Sequence, residues 1–483
     1  MRIDRRSFLG AGFGAAVGAS CAAPARRDKR PNVLFILTDD QRWDCLSCAG
    51  HPFLKTPHID RIAGEGVRFA NAFVTTSLCS PSRASFLSGL YAHTHQVVNN
   101  FTDYPPNLPG YPVQLKAAGY QTAYIGKWHM GEQSDEARPG FDYWASHKGQ
   151  GTYFDTTFNI NGRRDVLKGY YTHRVTDLAV DWLKKPRRQP FMMILGHKAP
   201  HGTWVPEPKY EHAFDQVEIR RPATAGDTGT GKGDWVRKRV PTWHGIDGPL
   251  YGVKDYTKFV RAYLATILSV DDSVGRIYET LRAAGELDNT LLVFAGDNGF
   301  LLGEHGAIDK RTMWEESIRI PILARCPELI RTPRVIPQMA LNVDLCPTVL
   351  EVCGLPPAKT HGRSWKTLFQ GEDPGWRKSW SYEYNYEQEF PYTPNVRGVR
   401  TDDWKYIRYP NGPGRADLDP AELYDLKSDP LETRNLMNAP EAAGKLAELK
   451  GELARLQSET GALPDRMPLD PEMKTQLPEK SIR

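Results

Sequence analysis

The segment Pro31–Gln41, "PNVLFILTDDQ", decides how the rest of the chain reads. Val33–Leu37 is an unbroken apolar run with β-branched and aromatic side chains, and Asp39 and Asp40 follow it. Such a run is a strand covered on both faces, with carboxylates at its C-terminal end. The pattern recurs in "TAYIGKWH" (122–129), "PFMMILGHKAPH" (190–201), "NTLLVFAGDNG" (289–299) and "IRIPILARCP" (318–327). Helical periods separate these runs in "VQLKAAGY", "VTDLAVDWLKK" and "FVRAYLATILSVDDSVGRIYETLRAAGE". Alternating strands and helices predict an α/β fold, a large, mostly parallel mixed sheet sandwiched by helices. Ligands of such sheets gather beyond the carboxyl ends of the strands. Asp, Lys, His and Asn side chains stand there in this sequence, so the site is expected on that edge.

Beyond about Gln370 the texture changes. "SWSYEYNYEQ", "NVRGVRTDDWKYIRYP" and "AELYDLKSDP" read as short aromatic-rich strands, and "APEAAGKLAELKGELARLQSE" as an amphipathic helix. This predicts a smaller antiparallel sheet with one covering helix. The chain is expected to divide into an N-terminal targeting segment (1–28), a large domain built on the strand–helix alternation (29–370) and a C-terminal subdomain with a tail (371–483). Thr203–Tyr256 is long, Gly/Pro-rich and irregular, the mark of a functional or mobile loop.

The chain has 483 residues, 40% hydrophobic and 25% charged, and its formal net charge is +4 from 62 basic and 58 acidic side chains. That is a globular composition, and the charge is too balanced to argue for nucleic acid. "DRRSFLGAGFGAAVGASCAAPA" pairs Arg5 and Arg6 with a short apolar, glycine-rich run, as in a twin-arginine export signal. The run is too short for a transmembrane span. Cys21 stands where a bacterial lipoprotein would be lipidated, although the residue three before it is Gly18; a plain cleaved signal is the other reading. Export places the protein in the periplasm or at the cell surface. The seven cysteines form no disulfide framework. Cys45-x-x-Cys48 lacks a second pair for zinc, and is expected to sit structurally on a helix after the first strand.

Asp39-Asp40 and Asp297-Asn298 each close an apolar strand. Together they would crowd like charges unless a cation lay between them, and oxygen donors suit Ca²⁺ or Mg²⁺. "SLCSPSRASFLSG" (77–89) reads as a helix start, with Ser80 as a cap, Pro81 in the first turn and Gly89 as terminator. Cys79 at the positive end of that helix, near Arg83, is expected to have a lowered thiol pKa. A thiolate is nevertheless a poor ligand for a hard cation. Either Cys79 stands away from the metal, or it does not remain a thiol.

Cys79-x-Pro-x-Arg83 followed by "ASFLSG" resembles the type I sulfatases of the alkaline phosphatase superfamily. "GYQTAYIGKWH", "TDDQ", "KAPH", "GDNG", "LGEHGAIDKRTMWEESIRIP", "RGVRTDDWKYI" and "ELYDLKSDPLETRNL" extend the resemblance, in order, over nearly the whole chain after the targeting segment. It implies that a formylglycine-generating enzyme oxidises Cys79 to Cα-formylglycine, whose hydrate is a geminal diol. Asp39, Asp40, Asp297 and Asn298, with the converted Cys79, would bind the metal, usually Ca²⁺. Arg83 would hold the diol, and Lys127, His129, His201 and Lys310 would surround the sulfate. One hydroxyl would attack sulfur, His201 or Lys310 would protonate the leaving alcohol, and His129 would take the proton of the other hydroxyl. His197 and His305 are expected behind the site or holding loops. Asn99, Asn100 and the histidines of "YAHTHQVVNN" are expected near the pocket mouth.

"HTHQVVNN" resembles N-acetylglucosamine-6-sulfatases, which implies a sulfated carbohydrate substrate such as an O6-sulfated amino sugar. Trp380, Tyr382, Tyr384, Tyr386, Tyr392 and Trp404 would then be either sheet core or stacking faces for a sugar. Two other readings remain open: a phosphonate or phosphate ester hydrolase of the same superfamily, and a non-catalytic glycan-binding relative anchored through Cys21.

Overall fold

The computed structural model describes residues 30–465, apart from 230, 357, 374, 388–392, 412–415 and 418–419. The export segment with Arg5, Arg6 and Cys21, and also Tyr392 and the chain beyond 465, lie outside the described residues.

The first strand, Asn32–Thr38, is buried at every position. It pairs in parallel with Phe191–Gly196 on one side and Thr290–Gly296 on the other. Gln121–Gly126 and then Tyr143–Ser146 extend the parallel block. The whole sheet has ten strands, in the spatial order Arg334–Ile336, Val67–Phe69, Ile322–Arg325, Thr290–Gly296, Asn32–Thr38, Phe191–Gly196, Gln121–Gly126, Tyr143–Ser146, Phe154–Ile160 and Arg163–Tyr170. Ile322–Arg325 runs antiparallel to Thr290–Gly296; only short helical turns separate the two strands, and no crossover helix carries the chain back to the start of the sheet as a parallel neighbour would require.

Alternate side chains of the first strand enter two cores. Leu34 and Ile36 face the helices Tyr171–Leu183 and Tyr256–Ala283 through Val175, Ala179, Val270 and Ile277. Val33, Phe35 and Leu37 face the helices Cys79–Ser88 and Leu345–Val352 through Ala84, Phe86 and Val349. Complete burial of each such side chain contributes about 1.5–3 kcal/mol. Cover on both faces therefore explains the continuous apolar runs.

The hairpin Phe154–Ile160/Arg163–Tyr170 does not follow the apolar-run rule, since most of its residues face solvent. Its signal is Asn161-Gly162, with φ of 49° and 92°, the left-handed pair that a two-residue hairpin turn requires.

The small antiparallel sheet contains Ser379–Tyr384, Val396–Thr401, Trp404–Arg408 and Glu422–Asp425. The helix Ala443–Thr460 covers one face, with Leu449 and Leu453 against Val399, Tyr406 and Leu423. On the other face Trp380, Tyr382 and Tyr384 join Phe73, Leu78 and Trp314 in one core. These aromatics and Tyr386 are buried, so they are packing residues and not stacking faces. Trp404 is half-buried and packs on the helix side.

One local expectation is corrected. Cys45 lies in a turn and Cys48 in a single 3₁₀ turn, Ser47–Ala49, rather than on an α-helix. The six cysteines among the described residues are all free thiols. The segment Thr203–Tyr256 is anchored by Trp204, Trp235 and Ile246, which are buried in the molecule.

Candidate active site

Four strand ends deliver the site. Asp39 and Asp40 follow Thr38, Lys127 follows Gly126, His197–His201 follows Gly196, and Asp297 follows Gly296. The ends close together because Gly126, at φ 104°, has no Cβ; one there would lie 1.9 Å from the Gly196 carbonyl oxygen. Asp40 (φ 61°) and His129 (φ 48°) also occupy the left-handed region, which is costly for non-glycine residues and common at functional sites.

The helix Cys79–Ser88 is buried at every position and ends at Gly89 in the left-handed conformation. Ser80 lies inside the first turn and does not cap it. Its N–H donates to Asn100 Oδ1 at 3.1 Å, so the cap comes from a distant loop, and its hydroxyl donates to the His129 carbonyl. Asn100 thus seats the helix, whereas His95 is buried against Ser85 and His93 pairs with Glu383. Asn99 accepts from Phe101 N and Thr102 Oγ1, closing its own loop.

Arg83 binds the elements together. Its Nε donates to Asp297 Oδ2 (2.9 Å), and its terminal nitrogens donate to the Lys127 carbonyl (2.7 Å) and Asp39 Oδ2 (3.3 Å). Lys127 Nζ donates to Asp39 and to Gln150. Lys310 Nζ donates to Asp40 and, at 2.9 Å, to Cys79 Sγ. His201 places Nε2 3.7 Å from Asp40 Oδ2, while its Nδ1 donates to the Gly202 carbonyl at 2.7 Å. Cys79 Sγ lies 3.5 Å from Asp39 Oδ1. Among the described residues, Asp39, Asp40, Cys79 and His201 form one group whose ligand atoms all lie within 4.8 Å of one another.

Asp297 and Asn298 border that group. Asp297 Oδ1 accepts the Asp40 amide at 3.0 Å, and Asn298 Nδ2 donates to Asp40 Oδ1 at 2.6 Å. Asn298 Oδ1 is buried without a partner. A buried amide oxygen left unpaired beside three carboxylates fits a hard divalent cation, which takes oxygen donors. The sulfur of Cys79 does not fit that donor set; an oxygen at the same position does.

Burial raises the Asp39 carboxyl, but Lys127, His201, Arg83 and Lys310 outweigh it and hold it well below the ordinary range. Burial lifts Asp40 to about 6, with Asp39 and Asp297 adding to the rise against Lys310. Burial and then Asp39 push the Cys79 thiol up against Lys310 and Lys127, which corrects the expected lowering. The three carboxylates Asp39, Asp40 and Asp297 are matched by three cations, Arg83, Lys127 and Lys310. A divalent ion would therefore leave the site positive, suited to an anionic ester.

His129 donates from Nε2 to Glu132 Oε1 at 2.7 Å, and its Nδ1 is buried without a partner. Glu132 and Gln150 were not legible as site residues. The one signal for Gln150 is its place between Gly149 (φ 53°) and Gly151 (φ 65°), a tight turn that aims its side chain at Lys127. His197 lies behind the site, buried, with Nε2 3.4 Å from Ser273 Oγ. His305 holds its loop through Asp227 at 3.0 Å.

The chain resembles known proteins over most of its length. Residues 31–355 match the sulfatase family model, and 303–459 match the model of the N-sulphoglucosamine sulphohydrolase C-terminal region. An N-acetylglucosamine-6-O-sulfatase of Bacteroides thetaiotaomicron is 35% identical, over 91% of this chain and 89% of that protein. The human N-acetylglucosamine-6-sulfatase is 32% identical, over 74% of this chain and 68% of its own. A structure solved in complex with its substrate D-glucosamine-2-N,6-O-disulfate superposes with a TM-score of 0.82 at 33% identity, covering 91% of this chain and 100% of that one. The chain belongs to the sulfatase family, whose members hydrolyse sulfuric esters.

Proposed function

We propose that this sulfatase removes the 6-O-sulfate of a glucosamine residue, N-acetylated or N-sulfated, in a sulfated glycan. The observation that carries the reading is the 35% identity, across nine-tenths of the chain, to an N-acetylglucosamine-6-O-sulfatase. In this reading residues 29–370 form the catalytic domain and 371–483 the C-terminal subdomain. The twin-arginine segment exports the protein to the periplasm or cell surface.

A formylglycine-generating enzyme converts Cys79 to formylglycine before folding. Complete burial of the helix Cys79–Ser88 supports that order, because a folded chain leaves the thiol out of reach. Asp39, Asp40, Asp297 and Asn298 would hold a divalent cation, Ca²⁺ with Mg²⁺ as the alternative, which would supply positive charge to the sulfate and nucleophile oxygens. Lys127 and Lys310 bind and neutralise the sulfuryl oxygens as charge spreads over them, while Arg83 holds the diol and adds positive charge behind it. A hydroxyl on residue 79 displaces the sugar oxygen from sulfur, and the departing alcohol is protonated from His201 or Lys310. His129 Nδ1 then takes the proton of the remaining hydroxyl, sulfate leaves, and the aldehyde returns.

Sulfate release from N-acetylglucosamine-6-sulfate, glucosamine-2-N,6-O-disulfate and N-acetylgalactosamine-6-sulfate tests the reading, with peptide mass reporting the state of residue 79. The expected result is release from the glucosamine pair by converted protein. Faster hydrolysis of the matched 6-phosphate, or no release from either glucosamine sulfate, would overturn it.

A further inference from the structure

We propose that Glu132 is the positioning residue that makes His129 the base of the second half-reaction; the proposal rests on the formylglycine reading above. His129 Nε2 lies 2.7 Å from Glu132 Oε1. An ionised carboxylate only accepts, so Nε2 carries the hydrogen and the neutral ring presents Nδ1 as a bare acceptor. That Nδ1 is buried with no donor in reach, an arrangement that costs stability and persists where chemistry uses the atom. The imidazole itself is sealed, whereas the Glu132 side chain is 26% exposed. The His129 carbonyl accepts the Ser80 hydroxyl, which holds the His129 backbone against the residue that follows Cys79.

After sulfate transfer, residue 79 bears one free hydroxyl and one sulfated oxygen on the same carbon. His129 Nδ1 removes the proton of the free hydroxyl. The electron pair of that O–H bond forms the carbonyl, the other C–O bond breaks, and sulfate departs with the bonding pair. Water then rehydrates the aldehyde, and His129 returns its proton to solvent. During this step the ring is a buried cation, which is costly unless paired. Glu132 provides the pair and fixes the tautomer beforehand, as a carboxylate behind a histidine base does in nucleophilic hydrolysis generally. The first half-reaction makes no demand on this contact.

The test compares wild type with Glu132→Gln and Glu132→Ala on N-acetylglucosamine-6-sulfate, with residue 79 conversion verified in each. Loss of general-base assistance should lower kcat by about 100-fold. KM should fall in proportion, so that kcat/KM is retained, and intact mass should show one sulfuryl group accumulating on the enzyme in steady state. Unchanged kcat, or kcat and kcat/KM falling together without the adduct, would overturn the assignment, and misfolded protein would be recognised by its failure to form any adduct with a low thermal midpoint. Should Glu132→Ala misfold, the near-isosteric Glu132→Gln decides alone. Wild type that lacks formylglycine or releases no sulfate would instead refute the underlying reading.

Discussion

Arg83 and Asp297, 214 residues apart in sequence, meet at 2.9 Å with side chains 2% and 0% exposed. The same guanidinium reaches Asp39 and the Lys127 carbonyl, so one side chain ties the helix Cys79–Ser88 to three strand ends. Removing it would leave two carboxylates buried beside each other. Breaking a buried pair on one side costs about 3–5 kcal/mol. Arg83→Met should therefore lower the unfolding free energy in urea by about that amount. Arg83→Lys should lose less, because it keeps the charge and loses the fork. A loss below about 1 kcal/mol, the range of exposed pairs, would contradict this role.

The orphaned Asn298 Oδ1 makes a separate prediction about metal. Ca²⁺ added to chelator-treated protein should raise the thermal midpoint, with a stabilisation of about 2.7 kcal/mol at a hundredfold excess over Kd. Asn298→Leu should weaken Ca²⁺ binding by calorimetry at least about 10-fold, since even groups that only support a ligand are worth that much. Equal affinity in both proteins would remove Asn298 from the ligand set.

Much of this site was legible because strand ends write themselves as an apolar run followed by a charge, as in Leu37–Asp40 and Ala295–Asn298. The pairing of those ends needed only the parallel-sheet rule. What was not legible depends on contacts between distant segments. Ser80 looks like a helix cap locally, but Asn100 takes that role across a loop. The lowered Cys79 thiol followed from Arg83 and the helix end, both nearby in sequence, whereas Asp39 at 3.5 Å was invisible until folded. Glu132 and Gln150 belong to connecting loops, Glu132 directly after Gly131 (φ 87°) and Gln150 between Gly149 and Gly151, where no period sets side-chain direction.

The raised Cys79 thiol predicts chemical inertness. Burial and the Asp39 carboxylate both disfavour the thiolate, the reactive form. Unconverted native protein incubated with iodoacetamide at pH 8 should therefore yield no alkylated Cys79 by peptide mapping. The same peptide should label fully after denaturation. Rapid labelling of Cys79 in the native state would restore the activated-thiol reading and remove the argument that its conversion precedes folding.

Acid should destabilise the fold through His95, His147 and His197. Burial pushes each of them down to about 3. An unfolded histidine titrates near 6.5. Between those values the unfolded chain binds protons that the folded chain refuses, so stability rises with pH. The contribution is complete above about 6.5 and is lost progressively as pH falls towards 3, at about 1.4 kcal/mol per pH unit for each ring. Carboxylates titrate in the same range, so the check is a difference between proteins. Urea unfolding of wild type and His95→Gln at pH 7.5, 6 and 5 should give slopes differing by about one proton below pH 6.5. The variant should lose less stability on acidification. Parallel curves would mean that His95 is protonated as readily in the folded state as in the unfolded one.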